Sequence, residues 1–326
     1  MSLLAWLGFR SGNVPVLARR TTEVPEHPGY TRLVPEFGSI LTAMVTPFDE
    51  QGRVDEDATV AVMRHLMANG SDGVVLSGTT GEASTLTDPE KIRLFELGME
   101  TLGDTATVVA GTGSNDTAHS VHLTEVAAKL GVDAVLVVTP YYNRPPRAGL
   151  LGHVRAIAEV GVPVILYNIP SRSVVNIPPD LIAEMVGIPG VVGLKEANAA
   201  QAQAVLAIPE LTVWAGNDDL FLEVALGGGA GVISVASHLV GNQMHAISEA
   251  ARAGDRDAAT RLDEALHPLY EGLFTTTSPI LIKAALAMLG VIPCGHLRLP
   301  LVDATSEERD VLTGLLEAQG LLVNAS

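Results

Sequence analysis

From Ser39 onward the chain alternates short, almost unbroken apolar runs with longer stretches in which apolar residues recur every three or four positions. The runs are SILTAMV (39–45), GVVLS (73–77), TVVAG (107–111), AVLVV (134–138), PVILYN (163–168), VVGLK (191–195), TVWAG (212–216) and GVISV (231–235). A parallel strand buried on both faces requires this continuous apolar character, without strict alternation. The stretches between them predict helices, for example at Asp55–Ala68, Asp88–Leu102, Asp116–Leu130 and Leu150–Val160. Several open on acidic residues, which suit the cap and the positive end of the helix dipole. Eight such units close into an α/β architecture, a (β/α)8 TIM barrel, because right-handed crossovers put every helix outside. Three further helical patterns follow near 255–271, 278–290 and 305–320 with no strand between them. They predict a small C-terminal helical appendage. The expected organisation is a flexible arm over 1–36, the barrel over 37–240, and the last barrel helix with the appendage over 241–326.

Composition narrows the possibilities. The chain is 326 residues long and 47% hydrophobic, enough apolar material for a large core, which excludes general disorder. Twenty basic against 37 acidic side chains leave a formal charge of −17, spread along the chain. That balance offers no basic footprint for nucleic acid and no polybasic anchor for an anionic membrane. Cys294 is the single cysteine, so no intrachain disulfide can form and a reducing, cytoplasmic compartment is expected. The apolar run Leu3–Phe9 is short, and its charges, at Arg10, Arg19 and Arg20, follow it; a secretory signal has the opposite order. The uncharged stretch Val224–Ser248 has the length of a membrane span, but glycines at 227, 228, 229 and 231 interrupt it. It reads as a helix end, a turn, a strand and a new helix.

In such a barrel the chemistry sits at the carboxyl ends of the strands and in the loops after them. Only four lysines are present. Lys91, Lys129 and Lys283 fall in helical stretches and read as solvated. Lys195 instead ends the sixth apolar run at the barrel mouth, where burial disfavours the ammonium and creates a nucleophilic amine. A lysine that snorkels to water is the plainer alternative. Such an amine adds to a ketone and forms an imine, an electron sink that lets a neighbouring carbon attack an aldehyde. The sequence needs a proton shuttle, and Tyr167, ending the preceding strand, is at a comparable height. A strand-end tyrosine alone is more often structural; its pairing with Lys195 favours catalysis. Gly78-Thr79-Thr80-Gly81 leaves a strand and forms a small cradle of N–H groups and hydroxyls suited to a carboxylate. It lacks the lysine of a nucleotide-binding loop. Arg172, after the fifth strand, offers a fork for a second carboxylate, unless it is merely solvated. Of nine histidines only His238 lies near this face, without a second ligand at metal spacing. Neither a metal nor an organic cofactor is expected.

These motifs resemble the dihydrodipicolinate synthase family of pyruvate-dependent Schiff-base lyases, from about Phe37 to the C-terminal end. The likeness is carried by SILTAMVTPFD (39–49), GTTGE (78–82), GTGSN (111–115), TPYYNRP (139–145), ILYNIPSR (165–172), GLKEA (193–197) and LRLP (297–300). GTTGE and the strand-six lysine are common to the superfamily, whereas PYYNRP with YNIPSR point to the synthases. The resemblance implies pyruvate bound as an imine on Lys195 and a proton relay of Tyr167, Thr79 and Tyr142, with Tyr142 reaching a neighbouring subunit's site. It implies the pyruvate carboxylate at Thr79 and Thr80, the carboxylate of L-aspartate 4-semialdehyde at Arg172, and backbone carbonyls of Gly216 and Ile233 facing the site. It also implies a lyase of lysine and diaminopimelate biosynthesis, assembled as a homotetramer, a dimer of dimers. Departures exist. Asp88 and Lys91 occupy positions where the enteric-type enzyme has histidines near its lysine-inhibitor pocket, and His119 replaces the acid that would pair the inhibitor's amine. Weak or absent inhibition by lysine is expected. Asn217 stands where the family has an acid. Two other readings remain: an N-acetylneuraminate or 2-keto-3-deoxy sugar-acid aldolase of the same superfamily, and a non-catalytic barrel that senses a keto acid.

Overall fold

The computed structural model describes residues 37–322, and of the preceding stretch only the backbone of two short strands, Thr21–Thr22 and Val34–Pro35, which pair antiparallel. The arm expected over 1–36 otherwise lies outside the described residues. The chain divides into two compact units, Met1–Glu36 and Phe37–Ser326.

In the larger unit eight parallel strands close into a barrel. They are Ile40–Ala43, Gly73–Leu76, Thr107–Gly111, Ala134–Val138, Val164–Asn168, Val191–Glu196, Thr212–Ala215 and Gly231–Ser234. The (β/α)8 reading is therefore correct. The strand pleat sorts their side chains into two sets. Leu41, Val75, Val109, Leu136, Ile165, Trp214 and Ile233 point inward and pack on one another. Their neighbours Ile40, Val74, Val108, Val135, Val164, Val213 and Val232 point outward and pack against the helices. Both sets are buried, which is why the runs show no alternation of apolar and polar residues.

Strand six departs from this regular pleat. Val191 pairs with Val164, but Gly193 rather than Val192 pairs with Ile165, so one residue bulges out of register. The bulge brings Gly193 against the indole of Trp214, where a Cβ would lie 2.6 Å from a ring carbon. It also resets the phase of the strand. Leu194 faces out and Lys195 faces in, opposite the inward Tyr167.

The helices begin where their caps allow. Asp55 accepts from the Ala58 N–H ahead of Glu56–Ala68, and Asp116 accepts from Ala118 and His119 ahead of Thr117–Leu130. The helix expected at 150–160 starts earlier, at Arg147, directly after Pro146. The appendage follows as expected except in its first part. The 255–271 pattern breaks into Arg256–Glu264 and His267–Leu273, because Pro268 has no N–H for the carbonyl of Glu264 and its ring crowds that turn. Ile280–Met288 and Ser306–Ala318 complete it. Lys283 corrects the sequence reading: its side chain is fully buried rather than solvated, because it is paired with Glu82. Among the described residues no helix is long and apolar enough to cross a membrane.

Candidate active site

The reset phase of strand six puts Lys195 and Tyr167 side by side inside the barrel. Their backbones are register partners, and the Lys195 Nζ lies 4.3 Å from the centre of the Tyr167 ring. Lys195 is 4% exposed. Burial pushes its ammonium down to about 7, Arg172 adds to the effect, and the Asp218 carboxylate opposes it. Tyr167 moves the other way. Burial raises its phenol above the ordinary value, against opposing effects of Arg172 and a hydrogen bond with Thr79. The pair therefore joins an amine that sheds its proton near neutrality to a phenol that keeps its own.

The cradle is held in place from both ends. Ser77 and Glu82, flanking the loop, adopt left-handed φ values of 54° and 55°, a conformation that costs non-glycine residues energy. Surrounding contacts compensate: Thr46 Oγ1 donates to the Gly81 carbonyl at 2.7 Å, and the Glu82 N–H donates to the Thr79 carbonyl at 3.1 Å. Thr79, Thr80, Tyr167, Arg172, Lys195 and Gly216 line one cavity of about 320 Å³. An adjoining cavity of about 580 Å³ shares Thr79, Tyr167 and Arg172 and runs out to Asp88, Lys91, His119 and Tyr141. Arg172 sits on the short helix Pro170–Ser173 at this shared wall.

Six of the eight expected residues thus meet in one place. Two do not. Ile233 is fully buried inside the barrel opposite Leu41 and lines neither cavity. Tyr142 is 89% exposed with φ of 71°, and it too lines neither.

Asp218 is the polar group that sequence reasoning left without a role. It is 2% exposed, lines the Lys195 cavity, and accepts from the N–H groups of Val235 and Ala236, the latter at 2.9 Å. Burial raises its carboxyl, while these bonds and Lys195 draw it down. Its place in the strand-seven loop was the available signal, but the exposed Asp219 beside it carries the same signal. His238 is occupied at both ring nitrogens: Nε2 lies 3.1 Å from the Val45 N–H and Nδ1 lies 2.8 Å from the Val235 carbonyl. Burial lowers it to about 4, so the ring is neutral, with its proton on Nδ1. Among the described residues no group of three or more His, Cys, Asp or Glu side chains could hold a metal ion.

A parallel barrel with an amine of this kind at the C-terminal ends of its strands places the chain among the imine-forming lyases. The model of the dihydrodipicolinate synthetase family matches residues 36–319, and the chain belongs to that family. It is 47% identical over 294 residues to the 4-hydroxy-tetrahydrodipicolinate synthase of Symbiobacterium thermophilum, covering 89% of this chain and all of that one. Among solved structures it resembles the Cyanidioschyzon merolae enzyme crystallised with lysine bound, at 39% identity and a TM-score of 0.85, with 88% of this chain and 99% of that one covered. It resembles equally the chloride-inhibited dihydrodipicolinate synthase of Acinetobacter baumannii complexed with pyruvate, at 34% identity and a TM-score of 0.85, with 88% and 100% covered.

The position of the Lys195 titration gives a direct test. Only the free amine attacks a carbonyl. With a midpoint of about 7, roughly a tenth of it is free at about pH 6 and roughly nine tenths at about pH 8. The rate of reductive capture of pyruvate by cyanoborohydride should rise about tenfold across that interval and then level off. A rate still climbing steeply above about pH 9 would reveal an ordinary, solvated ammonium.

Proposed function

We propose that the protein condenses pyruvate, held as an imine on Lys195, with L-aspartate 4-semialdehyde, as a 4-hydroxy-tetrahydrodipicolinate synthase of diaminopimelate and lysine biosynthesis. The observation that carries this reading is the inward pairing of a desolvated Lys195 with Tyr167 in a chain of this family. The free amine of Lys195 adds to the pyruvate ketone, and the carbinolamine loses water to leave the imine. Tyr167, bonded to Thr79, passes the protons these steps exchange. Thr79 and Thr80 hold the pyruvate carboxylate through N–H groups and hydroxyls. Loss of a methyl proton gives an enamine, whose carbon attacks the aldehyde. The substrate's own amino group then displaces Lys195 and closes a ring. Arg172, at the wall shared by both cavities, pairs with the aldehyde substrate's carboxylate. A polyol tail would have no use for that cation, which favours the amino-acid aldehyde over sugar aldehydes. The backbone carbonyl of Gly216 completes the wall in this reading, without Ile233, which lines neither cavity.

Tyr142 supports assembly. A large aromatic ring at 89% exposure, on a backbone conformation that costs roughly 1–2 kcal/mol, recovers little within its own chain. Inserted into the relay of a second copy, it would recover that cost, as the inferred dimer of dimers requires. A single cysteine in 326 residues suits a reducing, cytoplasmic setting.

Borohydride reduction with pyruvate, followed by peptide mapping, should place the adduct on Lys195, and turnover should be found with aspartate semialdehyde and not with a sugar-aldehyde panel. Label on another lysine, or preference for a sugar aldehyde, refutes the reading. Tyr142→Phe should lower kcat by about a hundredfold while pyruvate capture persists; loss of capture would give the residue a different role.

The effector end of the larger cavity leads to a further expectation. Its Asp88 carboxylate already faces two basic groups, His119 Nε2 at 2.9 Å and Lys91 Nζ at 3.9 Å. A cationic amino acid would have to compete with both. Half-inhibition by lysine should require more than about 1 mM, and a titration reaching it well below that concentration would contradict this account.

A further inference from the structure

The buried Lys283 lies in the helical appendage, 201 residues from its partner, and no step of the reaction uses it. Its Nζ donates to Glu82 Oε1 at 2.7 Å, with side-chain exposures of 0% and 1%. The second oxygen, Glu82 Oε2, accepts from the backbone N–H of Arg298 at 3.1 Å. Glu82 is therefore held through both carboxylate oxygens by the appendage, while its own N–H holds the Thr79 carbonyl. A second tie runs through Phe48. Lys283 and Arg298 lie 4.2 and 4.4 Å from the centre of its ring, just beyond Thr46, which anchors Gly81. The Arg298 guanidinium donates to the carbonyls of Gly52 and Thr85. The LRLP motif thus bridges the loops after strands one and two.

Stability alone does not account for this arrangement. A buried ion pair can often be replaced by apolar side chains at no cost, whereas removing one partner leaves a costly lone charge. What the pair adds over an apolar contact is direction, because both carboxylate oxygens must find their donors at once.

We propose that Lys283 and Glu82 are a positioning pair for keto-acid recognition: through them the C-terminal helices set the carboxylate cradle at Thr79 and Thr80. The inference rests on the cradle role given above. The test uses full-length wild type, Glu82→Gln, Lys283→Met and the double variant, with the Tm and KM of both substrates measured for each. Each single change should lower the Tm, and the double change should restore much of it, since no lone charge remains. The pyruvate KM should nevertheless stay raised about tenfold in all three, with the aldehyde KM within about twofold of wild type. Because KM reports the folded fraction only, partial unfolding does not obscure it. A pyruvate KM that returns to the wild-type value together with the Tm would make the pair a scaffold and overturn the proposal. Wild-type KM in the single variants, or failure of every variant to fold, would overturn it too. Failure of the wild type itself to be trapped by borohydride with pyruvate would instead overturn the functional reading on which the pair's role depends.

Discussion

The whole site depends on withholding water from one amine. Lys195 follows four residues without a polar side chain on its strand, in a barrel whose interior is filled by Trp214, Ile165 and Leu136, and solvent cannot restore what burial removes. The Asp218 carboxylate and the Arg172 guanidinium act on it with opposite sign, so its titration is set by a balance. Removing the carboxylate would favour the free amine but leave the protonated imine without a counter-charge. Asp218 is held in its place in that balance by the backbone N–H groups of Val235 and Ala236.

Around this centre the molecule divides its labour between strands and loops. Strands fix Tyr167 and Lys195 through their pairing, with little freedom to drift. The loops carry the recognition groups, and each needs its own restraint: Thr46 for Gly81, Glu82 for Thr79, and Lys283 and Arg298 for Glu82. The appendage reaches back to the barrel mouth, where the loops would otherwise be least constrained.

The eight strands were legible because burial on both faces leaves an uninterrupted apolar signature, and Lys195 was legible because it breaks one. Pairings across long stretches of sequence were not. Lys283 looks like any helical lysine to a reader who sees only its neighbours, since Glu82 and Phe48 lie far away in the chain. Asp218 and Asp219 are equivalent as letters; one turns inward and the other into solvent. Ile233 and Tyr142 were known only by resemblance. A backbone carbonyl that faces a site, or an aromatic ring offered to a second copy, would leave no periodic trace in a sequence. At Pro268 the apolar spacing runs on through the break and masks the proline's signal.

The bulge at Val192 has a consequence beyond aiming one side chain. It acts as a seam across strand six. Below it, Val191 answers only to the packing of helices against the barrel; above it, Leu194 and Lys195 keep a phase of their own. Leu194 still packs in the same outer apolar layer as Val191, so the strand ends on an inward reactive group without giving up its outward anchorage.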